Sequence, residues 1–188
     1  MLDALTFKAE ILEPILTEFR EQPHSLHKGF CAIWSLDSYA SHCAFQCRDM
    51  QKLTQSQRGK IEERFKDRLQ DDLHDDAWKF RLIRQASNAT KHAVRRNKDE
   101  DVPSSKGVAS EPIDGWLWYW SGASHWGNQV VIDVSWTFDQ ESQSWFDGER
   151  REVKPGPFFK WVPLLDIIDP CAEHIERGLE SETVGREG

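Results

Sequence analysis

Long apolar runs are missing from this chain: no stretch approaches the roughly 20 consecutive apolar residues that a membrane-spanning helix requires. The first residues, Met1-Leu2-Asp3-Ala4, have neither a basic region nor a long apolar core, so we expect a cytoplasmic protein with no membrane partner. Cysteine is sparse. Cys31, Cys43, Cys47 and Cys171 form no Cys-x-x-Cys pair, and in that compartment free thiols are expected rather than a disulfide framework. Cys43, Cys47 and the adjoining His42 would be half a metal site at most, and buried inert thiols are the simpler expectation. There is no Gly-x-Ser-x-Gly for a nucleophilic hydrolase and no glycine pattern of a phosphate loop or dinucleotide fold. We therefore expect neither a metal nor a cofactor.

Basic charge is in the minority, with 24 Lys and Arg against 32 Asp and Glu for a net charge of −8. That balance argues against a protein that coats nucleic acid generally. The charges are nonetheless segregated. Residues 79–98 hold seven Lys/Arg and no Asp/Glu; subtracting those seven from the net −8 leaves −15 on the remainder.

The 188 residues suffice for one domain with a real core. Leu5, Leu12, Ile15, Leu16 and Phe19 carry helical spacing over about 2–21, with Pro14 kinking or dividing the helix. A second helix is expected from Ser25 or Lys28 to Met50, its inward face being Phe30, Ile33, Trp34, Asp37, Ser41 and Ala44. Asp37 and Ser41 interrupt an apolar stripe. Either Asp37 meets a basic or hydrogen-bonding group on another helix, because a buried carboxylate needs a partner, or it lies at the stripe's edge. Thr54 suits an N-cap for a third helix reaching about Leu73, with Ile61, Phe65, Leu69 and Leu73 as its apolar line and solvated charge elsewhere. The acidic run from Asp71 to Asp76 reads as a loop whose Asp75 or Asp76 leads into the next helix.

That fourth helix is expected over about 77–98. Trp78, Leu82, Ala86, Ala89 and Ala93 form its core line, and Arg81, Arg84, Asn88, His92 and Arg95 its flank. Residues 99–114 are polar, broken by proline and glycine, and read as a loop. The character then changes. All Trp except Trp34 and Trp78 fall between Trp116 and Trp161. Strands are expected over 115–122, 128–138 and 144–153, making a small antiparallel meander. Trp116, Trp118 and Trp120 share a face, as sheet core or as a stacking platform. A final helix, about Pro163 to Glu180, should kink or restart at Pro170 with Asp169 as cap. The fold class is thus α+β: a four-helix bundle over 1–98, a loop over 99–114, and a β-meander plus closing helix over 115–188 packed on the bundle.

The segment Ala86-Ser87-Asn88-Ala89-Thr90-Lys91-His92 resembles the Ala-Asn-Ala-x-Lys-His signature of many small bacterial proteins related to HEPN-type helical bundles, with Ser87 in place of the leading Ala. Ser35 to His42 fits the same resemblance. Catalytic HEPN proteins are metal-independent ribonucleases carrying Arg, a polar residue and His along one helix, often paired across a dimer. Here seven residues separate Arg84 from His92, more than that pattern has, and Asn88 holds the proper spacing without being Arg.

The resemblance implies His92 as general acid or base on the ribose or leaving oxygen. Arg84 and Lys91 would stabilise phosphate charge, Asn88 and Arg95 would bind the phosphate, and Asp37 would orient a basic partner. RNA and a second copy of the chain are the partners it implies, and a toxin or defence effector the role. The residues themselves fit three other readings: Asn88 and His92 bonded to Asp37 in a structural network, a phosphate- or RNA-binding site without catalysis, or a non-catalytic module that binds a protein partner.

Overall fold

The computed structural model describes residues 2–46, 48, 50–72, 76–91, 108–112, 128–133, 137–139, 144–146, 152–153 and 161–184. The chain starts with α1 (Ala4–Phe7), runs through a π-turn over Lys8–Leu12 and continues as α2 (Glu13–Glu21). Asp3 caps α1, its Oδ1 accepting from the Thr6 amide at 2.8 Å. The expected disturbance at Pro14 takes the form of the π-turn. Proline has no N–H to give, and the wider turn just before it lets the Glu13 amide bond Lys8 O. The helix is re-phased rather than broken.

Next come α3 (Leu26–Phe45), α4 (Gln55–Asp71) and α5 (Ala77–Lys91). Ser25 caps α3, accepting from the Lys28 amide. Thr54 caps α4 as expected, within a reciprocal capping box with Gln57. The closing helix α6 (Leu165–Val184) runs unbroken through Pro170. The expected restart at Pro170 therefore does not occur, and Asp169 is no cap: it accepts from Arg20 Nη2 at 2.5 Å. Pro170 lies early in the helix, so the carbonyl it leaves without an amide is that of Asp166, an exposed residue that water can satisfy. Ile167, Ile168, Cys171, Ala172 and Ile175 are buried on both sides of it and anchor both parts of the helix to the core.

α3 is the central helix, in contact with all the other described helices; α4, α5 and α6 also touch one another pairwise. Its burial explains its composition. Small residues (Gly29, Ala32, Ser35, Ala40, Ala44) let neighbours approach from several sides, while Ile33, Leu36 and Tyr39 fill the space between. The single inward stripe expected for α3 is therefore too narrow, and Trp34, placed on it, is instead among the exposed large apolar residues.

Two three-stranded antiparallel sheets follow α5. One has β1 (Val108–Pro112), β2 (Asn128–Asp133) and β6 (Trp161–Pro163) in the order β1-β2-β6. The other is the meander β3 (Thr137–Asp139), β4 (Ser144–Phe146), β5 (Glu152–Val153). β1 lies inside the stretch expected as a loop. Its partner β2, with Val108 opposite Ile132 and Pro112 opposite Asn128, supplies pairing that its own polar composition does not announce. The central strand β2 has Gln129, Val130, Val131 and Ile132 all buried. It is tied to the helices by backbone: the Val130 amide donates to Pro23 O at 2.8 Å, and the Leu164 amide to Val130 O at 2.9 Å. Gly29 makes the approach possible, since a Cβ there would stand 2.8 Å from Val130 Cγ1. The Trp116, Trp118 and Trp120 row, and the strand expected around it, lie outside the described residues.

The chain is thus mainly helical with small antiparallel sheets, an α+β architecture. No helix among the described residues is long and apolar enough to cross a membrane.

Candidate functional site

The polar break in α3 is real and internal. Asp37 is 5% exposed, and its carboxylate is met from two directions. Lys66 Nζ on α4 lies 2.8 Å from Oδ1, and Ser87 Oγ on α5 donates to Oδ2 at 2.9 Å. Lys66 is 7% exposed and Ser87 fully buried. Three helices are joined through one carboxylate.

The network continues outward. Lys66 also pairs with Glu62 Oε1 at 3.0 Å, one turn earlier on α4. Ser41, the second polar interruption in α3, donates to the same Glu62 oxygen at 2.7 Å. Burial pushes the Glu62 carboxyl up, but the Ser41 hydroxyl and the Lys66 ammonium outweigh it and hold it below the usual glutamate range. One ammonium thus stands between two carboxylates, and hydroxyls complete the set. A buried carboxylate without such partners would take a proton.

Of the two readings of Asp37, the structure selects the cross-helix partner. Among the described residues the α5 side chain that reaches it is Ser87, one position before Asn88, which is half-buried. Lys66 belongs to the faces of α4 expected to be solvated, and the structure corrects that expectation. Two signals point to the missing members. Ser87 extends the line Phe80, Ile83 at i+3 and i+7, so it is a polar residue inside a second apolar stripe of α5. Lys66 neighbours Phe65 and stands three residues from Leu69, on the buried side of α4.

Two members of the expected flank of α5, Arg84 and Arg81, are taken up by the bundle. Arg84 donates from Nη1 to Asp67 Oδ1 on α4 at 2.7 Å. Arg81, expected on the solvated flank, is buried. Lys79 reaches Asp76 Oδ1 at 2.7 Å, and the other oxygen of Asp76 accepts from Arg177 Nη2 of α6 at 3.1 Å, pinning the start of α5 to α6. Lys91 is the last residue of α5, with its side chain outside the described set; His92 and Arg95 also lie outside it.

A second junction of α3 and α5 lies nearer the surface. Trp34 donates its indole N–H to Thr90 Oγ1 at 2.7 Å. The ring of Phe30, one turn earlier, is 6.0 Å away centroid to centroid and tilted by 38°.

Cys43 is buried, and burial pushes its thiol up to about 12, which suits an inert core residue. His42 stacks on Phe7 at 4.1 Å, while its Nδ1 donates to Leu2 O at 2.8 Å. Among the described residues no three His, Cys, Asp or Glu come together as a metal set; Cys47 lies outside them. Comparison of the chain with protein-family models, with curated proteins and with solved structures gives no match.

Proposed function

We propose that this chain is a cytoplasmic HEPN-like bundle protein that binds RNA or another phosphate-rich strand without cleaving it. Asp37 serves as a structural hub, and the ligand is taken at the C-terminal end of α5. The observation that carries this reading is the double occupation of Asp37 by Lys66 and Ser87 inside the core. It leaves the carboxylate as a fastener between helices, with Arg84 closed onto Asp67 rather than poised beside a substrate.

The remaining basic charge supports the location. Lys79, Arg81 and Arg84 are taken up within the bundle. Lys91, Arg95, Arg96 and Lys98 follow in the sequence with no carboxylate between them. Neutralising phosphates with such a group gives binding that falls steeply with salt.

The test is a gel-shift and cleavage assay of the pure protein with a mixed RNA pool, without and with added divalent metal. The expected result is a salt-steep complex, weakened by Lys91→Ala/Arg95→Ala and unaccompanied by cleavage. Cleavage that His92→Ala removes would replace this reading with a metal-independent ribonuclease. Absence of any complex at low salt would end the nucleic-acid reading and leave a protein-binding module.

A further inference from the structure

We infer that Phe30 and Trp34 form a stacking platform for the unpaired bases of a single-stranded nucleic acid, an inference that rests on the binding function proposed above. Leu26, Phe30 and Trp34 stand at i, i+4 and i+8, so they line one face of α3. Part of that face is open: Leu26 is 38% and Trp34 37% exposed, while Phe30 is half-buried and packs one side against the core. The indole is not loose. Its N–H is held by Thr90, which is itself fixed on α5 by donating to Ala86 O at 2.8 Å. A large aromatic kept in place at the surface by its polar edge loses little conformational freedom when a base stacks on it.

Charge decides what this face fits. The sole carboxylate of α3 is Asp37, which is buried against Lys66, and α5 has none at all. In a chain of net charge −8, these two helices meet at an aromatic pair with no exposed carboxylate on either of them. Thr90 is also the residue before Lys91, where the basic sequence 91–98 begins. Aromatic faces, and a run of basic residues that begins at the next position of the chain, are the two parts that single-strand binding needs: stacking for the bases, and positive charge for the backbone. A paired duplex keeps its bases stacked inside and gains nothing from the rings.

The experiment measures fluorescence-anisotropy binding of three labelled 12-mers to the full chain: single-stranded RNA, single-stranded DNA of the same sequence, and the RNA duplex. Wild type, Trp34→Ala, Thr90→Val and Lys91→Ala/Arg95→Ala are compared, with folding checked by circular dichroism. Trp34→Ala should weaken both single strands roughly 5- to 100-fold, leave duplex binding and the salt slope unchanged, and behave unlike Thr90→Val, which keeps the ring. Tighter binding of RNA or of DNA then tells which strand is preferred, and either supports the platform.

Salt-steep binding by wild type that Trp34→Ala leaves intact on single strands overturns the platform while the proposed function stands. No binding of any strand by wild type overturns both. Should Trp34→Ala fail to fold, wild-type protein irradiated with 4-thiouridine RNA decides. Adducts on the Phe30–Trp34 peptide are expected, and adducts confined to other peptides overturn the inference.

Discussion

Lys66 and Asp37 meet at 2.8 Å in the interior, and Ser87 donates to the same carboxylate from α5. Their value lies in each other's presence. Neutralising one partner strands a charge in a place with little water, whereas replacing both with apolar side chains strands nothing. Lys66→Met should therefore lower stability by about 3–5 kcal/mol in chemical denaturation, and the Asp37→Leu/Lys66→Met pair by clearly less. A double variant as unstable as the sum of its singles would show that the two residues are not coupled.

Ser87 and Asn88 offer a contrast between neighbours. Ser87 gives a buried carboxylate a hydrogen bond, which is worth about 1.5–3 kcal/mol. Asn88 is only half-buried. Thermal unfolding should rank Ser87→Ala well below Asn88→Ala, whose cost stays under about 1 kcal/mol. The reverse ranking would return Asn88 to the centre of the network.

Acid should loosen the bundle at two places. The carboxyls of Glu62 and Asp76 lie below their ordinary values of 4.5 and 3.8: burial raises both, but Ser41 with Lys66, and Lys79 with Arg177, outweigh it. A depressed carboxyl adds stability that is complete above its unfolded-state value and is lost as pH falls through the folded one. The part of the melting temperature that these two carboxyls supply should thus hold steady from neutrality to about pH 5 and fall on further acidification. In Glu62→Gln/Asp76→Asn the acid limb should be shallower, and an unchanged slope in that variant would remove these residues as its source.

Gly178 on α6 packs against the side chains of Leu69 and Phe65 on α4, and an added Cβ would collide with Leu69. Since Leu69 and Phe65 are themselves buried, the clash cannot be relieved toward solvent. Gly178→Ala should cost about 1–3 kcal/mol by overpacking, despite alanine's better helix propensity. Equal or higher stability by urea titration would mean that α4 and α6 are free to move apart.

The helices were legible because their signals are local. Thr54 announces its cap, Ile61, Phe65 and Leu69 keep one face, and Asp37 stands out as a carboxylate in an apolar stripe. What Asp37 touches is not a local property. Lys66 is 29 residues away and Ser87 50, on helices whose rotation about their axes is fixed only by packing. A lysine beside Phe65 reads as surface until α3 is laid against it. The strands β1 and β6 are hidden for the same reason. The sequence of β1 carries little β character and β6 is only three residues long, and it is the apolar β2 between them that recruits both. At the surface junction the spacing of Trp34 fits the inward stripe; its exposure follows from α3 having neighbours on its other sides.

The arrangement of α6 has a consequence for synthesis. It packs on α3, α4 and α5, and His174 Nε2 donates to Leu69 O at 2.8 Å across 105 positions of chain. Translation delivers α5, ending at Lys91, well before α6, which begins at Leu165. Until then the apolar sides of α3, α4 and α5 that α6 will cover stay exposed. The nascent chain should be a client for chaperones that hold apolar surface, and polypeptides halted before Leu165 should aggregate rather than accumulate as a smaller bundle.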